Sequence, residues 1–146
     1  MKLRMPHLLW MVPAIGAGIV FGLSGYTFIY AKGYSYLTDD PKACVNCHVM
    51  REQFHSWEVS PHRSVRCNEC HVPQGFVSKW ATKAKNGFNH SWAFTFEDVQ
   101  VISPSESTRA VVQENCIRCH APMVDHLAIR NGMRCYDCHS ETRHTR

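Results

Sequence analysis

A chain of 146 residues has room for one compact domain and an appendage, which excludes a series of independently folded domains. Its formal net charge is +4, from 16 Lys and Arg against 12 Asp and Glu. Eight cysteines in so short a chain would ordinarily indicate disulfides in an exported protein, but their spacing indicates a different chemistry.

The N-terminal segment is apolar and predicts a membrane anchor. Residues 5–31 contain no Lys, Arg, Asp or Glu. At about 1.5 Å per helical residue, residues 8–30 can cross the roughly 30 Å of hydrocarbon in a bilayer. Lys2 and Arg4 precede this stretch, so the positive-inside rule places the N-terminus in the cytoplasm. We therefore predict a single-pass protein of the bacterial inner (cytoplasmic) membrane, with the rest of the chain on the periplasmic face.

A cleaved signal peptide is the alternative for the same segment. Its apolar region is usually shorter, about 7–15 residues, and a small-x-small cleavage site follows it. The residues after Tyr30 offer no clear site of that kind. We therefore predict a cytoplasmic stub and retained anchor over residues 1–34, and an outer domain over residues 35–146.

All eight cysteines fall into four copies of one motif, in which two cysteines three positions apart are followed at once by histidine. Two such thiols can form thioethers to the two vinyl groups of one haem, and the histidine can then meet its iron. Zinc sites and redox dithiols use the same cysteine spacing, but four copies with a histidine each and no cysteine left over indicate four covalently bound haem c groups. The motifs are Cys44, Cys47 and His48; Cys67, Cys70 and His71; Cys116, Cys119 and His120; and Cys135, Cys138 and His139.

Four haems leave fewer than about 30 residues of outer domain for each, too few for a conventional apolar core. We therefore predict a mainly α-helical and irregular fold: one transmembrane helix, then a small multihaem domain whose core is the haems themselves. Their propionates would add about eight negative charges, so the net charge of +4 is no indication of a nucleic-acid partner. The motifs form two pairs separated by residues 72–115, which suggests a duplicated two-haem unit and a chain of haems that conducts electrons.

The insert between the pairs contains a predicted helix over residues 76–96. Aromatic and small residues recur every fourth position on one face, and polar residues recur at steps of three and four on another. Such a helix can lie at the membrane surface or pack into a core with one solvated side, and the periodicity fits both. The first face comprises Phe76, Trp80, Ala84 and Phe88; the second comprises Lys79, Lys83, Asn86 and His90.

Each iron needs a proximal ligand and, for electron transfer alone, usually a distal one. The motif histidines are the proximal candidates. His62, just before the second motif, and His144, five residues past the fourth, are natural distal candidates. Three further histidines could be ligands or ordinary surface residues, namely His55, His90 and His126. Met50 is two residues past His48 and is either a thioether ligand or an apolar contact of the porphyrin.

Four segments carry a resemblance to a known family. The chain resembles the tetrahaem quinol dehydrogenases of periplasmic nitrate and nitrite reductase systems, and most of all the family of small subunits of cytochrome c nitrite reductases. With the anchor and four motifs, the resemblance covers nearly the whole chain. The segments are residues 35–44 (SYLTDDPKAC), 44–50 (CVNCHVM), 83–91 (KAKNGFNHS) and 112–116 (VQENC).

The resemblance implies a function and a set of partners. The subunit would take electrons from menaquinol at the lipid surface and pass them through four haems to a periplasmic multihaem catalytic subunit, which reduces nitrite to ammonium. The resemblance is also compatible with assembly of the two kinds of subunit into a higher-order hetero-oligomer. The alternatives are a quinol dehydrogenase that serves nitrate reductase or several periplasmic acceptors, a free-standing open-haem enzyme acting on nitrogen oxides, and a passive scaffold.

The resemblance also implies site residues. Met50 rather than His48 would bind the iron of haem 1, and His71 that of haem 2. Lys83 would line the quinol pocket, and His90 stands where some members have an aspartate, so it could accept the quinol proton or bind iron. The remaining ligand pairs implied are His120 with His144 for haem 3 and His139 with His62 for haem 4.

Overall fold

The computed structural model describes residues 5–99, 102–124, 132–139 and 142, and it is helical with no strand among them. This confirms the predicted fold class. The chain divides into two compact units between Leu37 and Thr38. The helices are α1 (Met5–Tyr30), α2 (Pro41–Cys44), α3 (Arg51–Glu58), α4 (Cys67–His71), α5 (Phe76–Phe96), α6 (Glu106–Val124) and α7 (Cys135–Cys138), with short 3₁₀ helices at Gly33–Leu37 and His48–Met50.

The first unit consists of α1 and the 3₁₀ helix that follows it. Residues Leu9–Tyr30 form a stretch long and apolar enough to cross a membrane, and none of it is buried in the protein. Pro13 lies within the helix, which continues through it. Just after α1, Lys32 has a φ of +53°, in the left-handed region. Gly33 then packs so closely on the ring of Phe28 that a Cβ at this position would collide with it.

The second unit buries little of its own apolar surface. Among the described residues, the only buried apolar side chains are those of Val72 and Tyr136. Two polar residues, Lys83 and Asn115, are buried to a similar degree. A domain of this size with a core made of polypeptide would bury many more apolar residues. The small polypeptide core is what a chain wrapped around haem requires.

Local sequence explains the short helices of this unit. Asp40 caps α2 by accepting a hydrogen bond from the Lys42 backbone N–H at 2.9 Å, and Pro41 begins the helix with a suitable φ. The loop after α3 is fixed by Trp57, whose indole Nε1 donates to the carbonyl oxygens of His62 at 3.1 Å and Val65 at 2.9 Å. The position of His62 therefore depends on this tryptophan.

Candidate haem and quinol sites

The four cysteine motifs lie on or beside helices. The second and third fall within α4 and α6, and the fourth occupies α7 and the residue after it. The first runs from the end of α2 through a turn to the start of the 3₁₀ helix at His48–Met50. The eight cysteines form no disulfide with one another, and none is buried. Free thiols in four pairs, each next to a histidine, have the chemistry that covalent haem attachment needs.

Cysteines of successive motifs lie close together in the order of the chain. Cys44 and Cys67 are hydrogen-bonded, which lowers the pKa of the first thiol and raises that of the second. The pKa of the Cys70 thiol is raised by burial and by the nearby Cys119. Burial likewise raises the pKa of Cys116 to about 11, with a contribution from Cys135 in the fourth motif. Each motif thus has a cysteine near one in the next motif along the chain.

A short stretch of α6 joins the second motif to the third. Asn115 donates from Nδ2 to the carbonyl oxygens of Cys70 at 3.0 Å and Val72 at 3.1 Å. Arg118 donates to the Asn115 side-chain oxygen at 3.3 Å and to the carbonyl oxygen of Glu69 at 3.3 Å. These bonds dock the C-terminal end of α4 on α6.

The same stretch also holds the fourth motif. The Gln113 side-chain oxygen accepts a hydrogen bond from the Cys135 backbone N–H at 2.9 Å, at the start of α7. The bond satisfies one of the N–H groups that a helix leaves unpaired at its first turn. Residues 113–118 therefore position both neighbouring motifs around the third.

The histidine and methionine candidates differ in their surroundings. His62 lies beside His120, with ring centroids 6.1 Å apart and the rings nearly perpendicular. His48 is exposed, Met50 is half-buried, and they begin and end one 3₁₀ helix.

His55 pairs with Glu58 at 3.2 Å, a local contact of α3. The predicted ligand His144, like His126, lies outside the described residues.

A cluster of charged side chains surrounds Lys83 on α5. Lys83 is only 7% exposed, and its ammonium donates to the Asp39 Oδ1 at 2.7 Å and to the Thr38 carbonyl oxygen at 2.9 Å. Lys79, one turn earlier, pairs with the Asp39 Oδ2, and Asn68 donates to the Oδ1 at 2.7 Å. Hydrogen bonds from Lys79 and then Lys83 hold the pKa of the Asp39 carboxyl far below its usual range.

Sequence reasoning gave Asp39 no role. The residue is 44 positions from Lys83 in the chain, and the recurrence of lysines on one helical face gave no indication of the carboxylate that binds them. Its neighbour Asp40 has a separate function as the cap of α2.

His90 lies two turns beyond Lys83 on α5, roughly 10 Å further along the helix axis. Its residue surface is largely accessible, yet partial desolvation of the imidazole lowers its pKa, which disfavours the protonated form. The two residues can therefore contact opposite ends of one ligand, but not a single atom of it.

The aromatic residues of α5 remain accessible. Trp80 receives the Lys83 ammonium over its ring at 5.2 Å from the centroid. Phe88, Trp92 and Phe96 are exposed and follow one another along the helix with their rings tilted, at successive centroid distances of 6.2 and 4.6 Å. The one buried residue on this helix is thus a lysine, and its large aromatic rings are partly or largely exposed.

Comparison with known sequences assigns the class of protein. Residues 5–115 match the N-terminal region of the NapC/NirT cytochrome c family. The chain therefore belongs to this family of cytochromes, which implies covalently bound haem c and, with the apolar helix α1, a single-pass membrane protein.

Particular relatives are more informative. The chain is 39% identical to the cytochrome c-type protein NrfH of Wolinella succinogenes, over 86% of this chain and 82% of that protein. It is 30% identical to the cytochrome c nitrite reductase subunit NrfH of Nitratidesulfovibrio vulgaris, over 80% and 74% of the two chains. It superposes with a TM-score of 0.70 and 25% identity on a chain of the cytochrome c nitrite reductase NrfHA complex bound to the inhibitor HQNO, covering 90% of each.

Proposed function

We propose that this chain is the membrane-anchored quinol dehydrogenase subunit of a cytochrome c nitrite reductase complex. It oxidises menaquinol and passes the electrons to a periplasmic catalytic subunit that reduces nitrite to ammonium. The observation that carries the proposal is the similarity to two NrfH proteins over most of their lengths. The series of haem-attachment motifs behind a single anchor helix is the machinery that such a subunit needs.

The chemistry divides between the cofactor and the residues of this chain. Menaquinol releases two electrons and two protons as it becomes menaquinone, and the haem groups, when bound, supply the one-electron acceptors. Lys83 would donate a hydrogen bond to one quinol oxygen and stabilise the negative charge that develops as the quinol loses a proton. His90, whose pKa is lowered by desolvation, would accept the proton of the hydroxyl at the opposite end of the quinol.

Four haems are part of the proposal, each attached through the two cysteines of one motif. His71, His120 and His139 would bind the irons of haems 2, 3 and 4. Met50 would bind that of haem 1, with His48 the alternative. A thioether ligand would favour the reduced iron and so a higher potential than imidazole gives.

The second iron ligands proposed are those that the resemblance implies: His144 would complete haem 3 with His120, and His62 would complete haem 4 with His139. The ring of His62 lies 6.1 Å from that of His120, centroid to centroid, so His62 is close to the third motif.

The haem count has a direct test. The intact protein should show four haem additions by mass spectrometry, because no cysteine is outside a motif. Cys70→Ser should remove one thioether and, with it, much of the stability of the haem-filled domain. Two or fewer additions in the wild-type protein would contradict the proposal.

The function is tested with the full-length protein in detergent or vesicles, together with the nitrite reductase catalytic subunit. Menaquinol should reduce its haems, and nitrite should reoxidise them only when the catalytic subunit is present. HQNO, which the structural relative binds, should inhibit the quinol step. Rapid turnover of nitrite by the isolated chain would instead indicate an open-haem enzyme.

The runner-up is a quinol dehydrogenase that serves nitrate reductase or several acceptors, and the breadth of the NapC/NirT family supports it. The two functions differ in the soluble partner. Equal electron delivery to a nitrate reductase and to the nitrite reductase subunit would favour the runner-up.

A further inference from the structure

We propose that Asp39 is a positioning residue of the quinol site, which holds the ammonium group of Lys83 in the orientation that quinol binding requires. The inference rests on the proposed quinol dehydrogenase function. It adds a residue from a different part of the chain, next to the start of α2, to a site otherwise formed by α5.

Lys83 is buried in the protein. A lysine that is only 7% exposed is rare, because the ammonium loses its hydration unless charged or polar partners replace it. Here Asp39 Oδ1 and the Thr38 carbonyl oxygen accept its hydrogen bonds at 2.7 and 2.9 Å. An ammonium has three N–H donors, so two of them fix its direction and the third is available to a ligand oxygen.

Asp39 is itself held from three sides. Lys79 pairs with its Oδ2, and Asn68 donates to the same Oδ1 that receives Lys83. Asn68 lies within the second cysteine motif, on α4. The carboxylate therefore cannot rotate without breaking several hydrogen bonds, and it links the direction of the Lys83 ammonium to a haem-attachment helix.

The charges of this cluster favour a positioning role over a role in proton transfer. Two lysines and one carboxylate have a net charge of +1, which favours an anionic quinol oxygen beside them. The lysine hydrogen bonds hold the pKa of Asp39 far below its usual range, so the carboxylate stays ionised and cannot take the quinol proton. It acts through Lys83.

The competing explanation is that Asp39 only fastens its loop to α5. Asp39→Asn distinguishes the two, because the amide keeps the shape of the side chain but loses the charge and places an N–H₂ group against a donor. Asp40→Asn is the matched control. It makes the same change one residue away, and asparagine caps a helix as well as aspartate does.

The experiment uses the full-length haem-loaded protein in detergent, with menadiol as electron donor and HQNO as a binding probe. Asp39→Asn should slow haem reduction by menadiol about tenfold and weaken HQNO binding, the loss expected when a charged hydrogen-bond donor is misplaced. Dithionite reduction and haem content should be unchanged, and Asp40→Asn should behave as wild type in every assay.

A double-mutant cycle completes the test. In a Lys83→Leu background, Asp39→Asn should cause no further loss of rate, because the lysine it positions is gone. Additive losses, or the loss of haem from Asp39→Asn, would assign Asp39 to the fold and overturn the inference. If menadiol reduces the wild-type protein and the Asp39→Asn variant equally fast, the role of Asp39 is refuted while the proposed function stands. A wild-type protein that menadiol does not reduce would refute the proposed function and the inference with it.

Discussion

Lys83→Leu should slow the reduction of the haems by menaquinol about a hundredfold, the usual effect of removing a hydrogen-bond donor from a developing negative charge. The protein should still fold, because Asp39 keeps Lys79 and Asn68 as partners when Lys83 is gone. Leucine also suits a buried position better than a lysine without its partner would. The effect should therefore lie in the quinol reaction and not in stability.

Stopped-flow absorbance of the haem Soret band measures this rate, with dithionite as an electron donor that does not need the quinol site. Lys85→Leu is the control, since Lys85 has the same chemistry on the same helix but is exposed and outside the charged cluster. Equal rates for Lys83→Leu and Lys85→Leu would remove Lys83 from the quinol site. Loss of dithionite reduction in Lys83→Leu would indicate damage to the haem domain instead.

What the sequence predicts well is what depends on neighbouring residues. Haem attachment needs two cysteines and a histidine within five positions, so the motifs alone predict four attachment sites. The anchor follows from one uninterrupted apolar run, and α5 from a periodicity that local helix geometry imposes. The bounds of α5, Phe76–Phe96, coincide with the predicted segment.

What the sequence did not predict depends on contacts between distant residues. Asp39 binds Lys83 across 44 positions, and Asn115 binds the carbonyl oxygen of Cys70 across 45. Neither pairing has a local pattern, because a single carboxylate or amide can serve many partners. Spacing along the chain groups the motifs in two pairs. In the structure the second motif, on α4, also packs against the third, on α6, although residues 72–115 separate them in sequence. The spacing of motifs along the sequence cannot show that the helices on either side of a long insert pack against each other.

The contact between α4 and α6 leads to the second large effect, which we expect from Asn115→Leu. Asn115 is only 5% exposed, and its amide satisfies the carbonyl oxygens of Cys70 and Val72 while its oxygen accepts from Arg118. Leucine would leave the Cys70 carbonyl oxygen without this partner, and the Val72 carbonyl oxygen with only the Gln74 side-chain donor at 3.4 Å. The expected cost is about 2–3 kcal/mol, since each unpaired buried group costs on the order of 1–3 kcal/mol.

For a domain of this size, that cost corresponds to a fall of roughly 10 °C in the unfolding midpoint, measured by circular dichroism on the haem-loaded protein. Asn89→Leu is the control, because Asn89 is exposed on α5 and the same substitution there should change the midpoint little.

Asn115 also fixes the second motif against the third, and electron transfer between haems slows steeply as their separation grows. Reoxidation of the quinol-reduced protein by nitrite and the catalytic subunit should therefore slow in Asn115→Leu, while the initial reduction by menaquinol stays near the wild-type rate. If Asn115→Leu has the wild-type unfolding midpoint and reoxidation rate, other contacts hold α4 on α6. The bonds from Arg118 to Glu69 would then be the next to test.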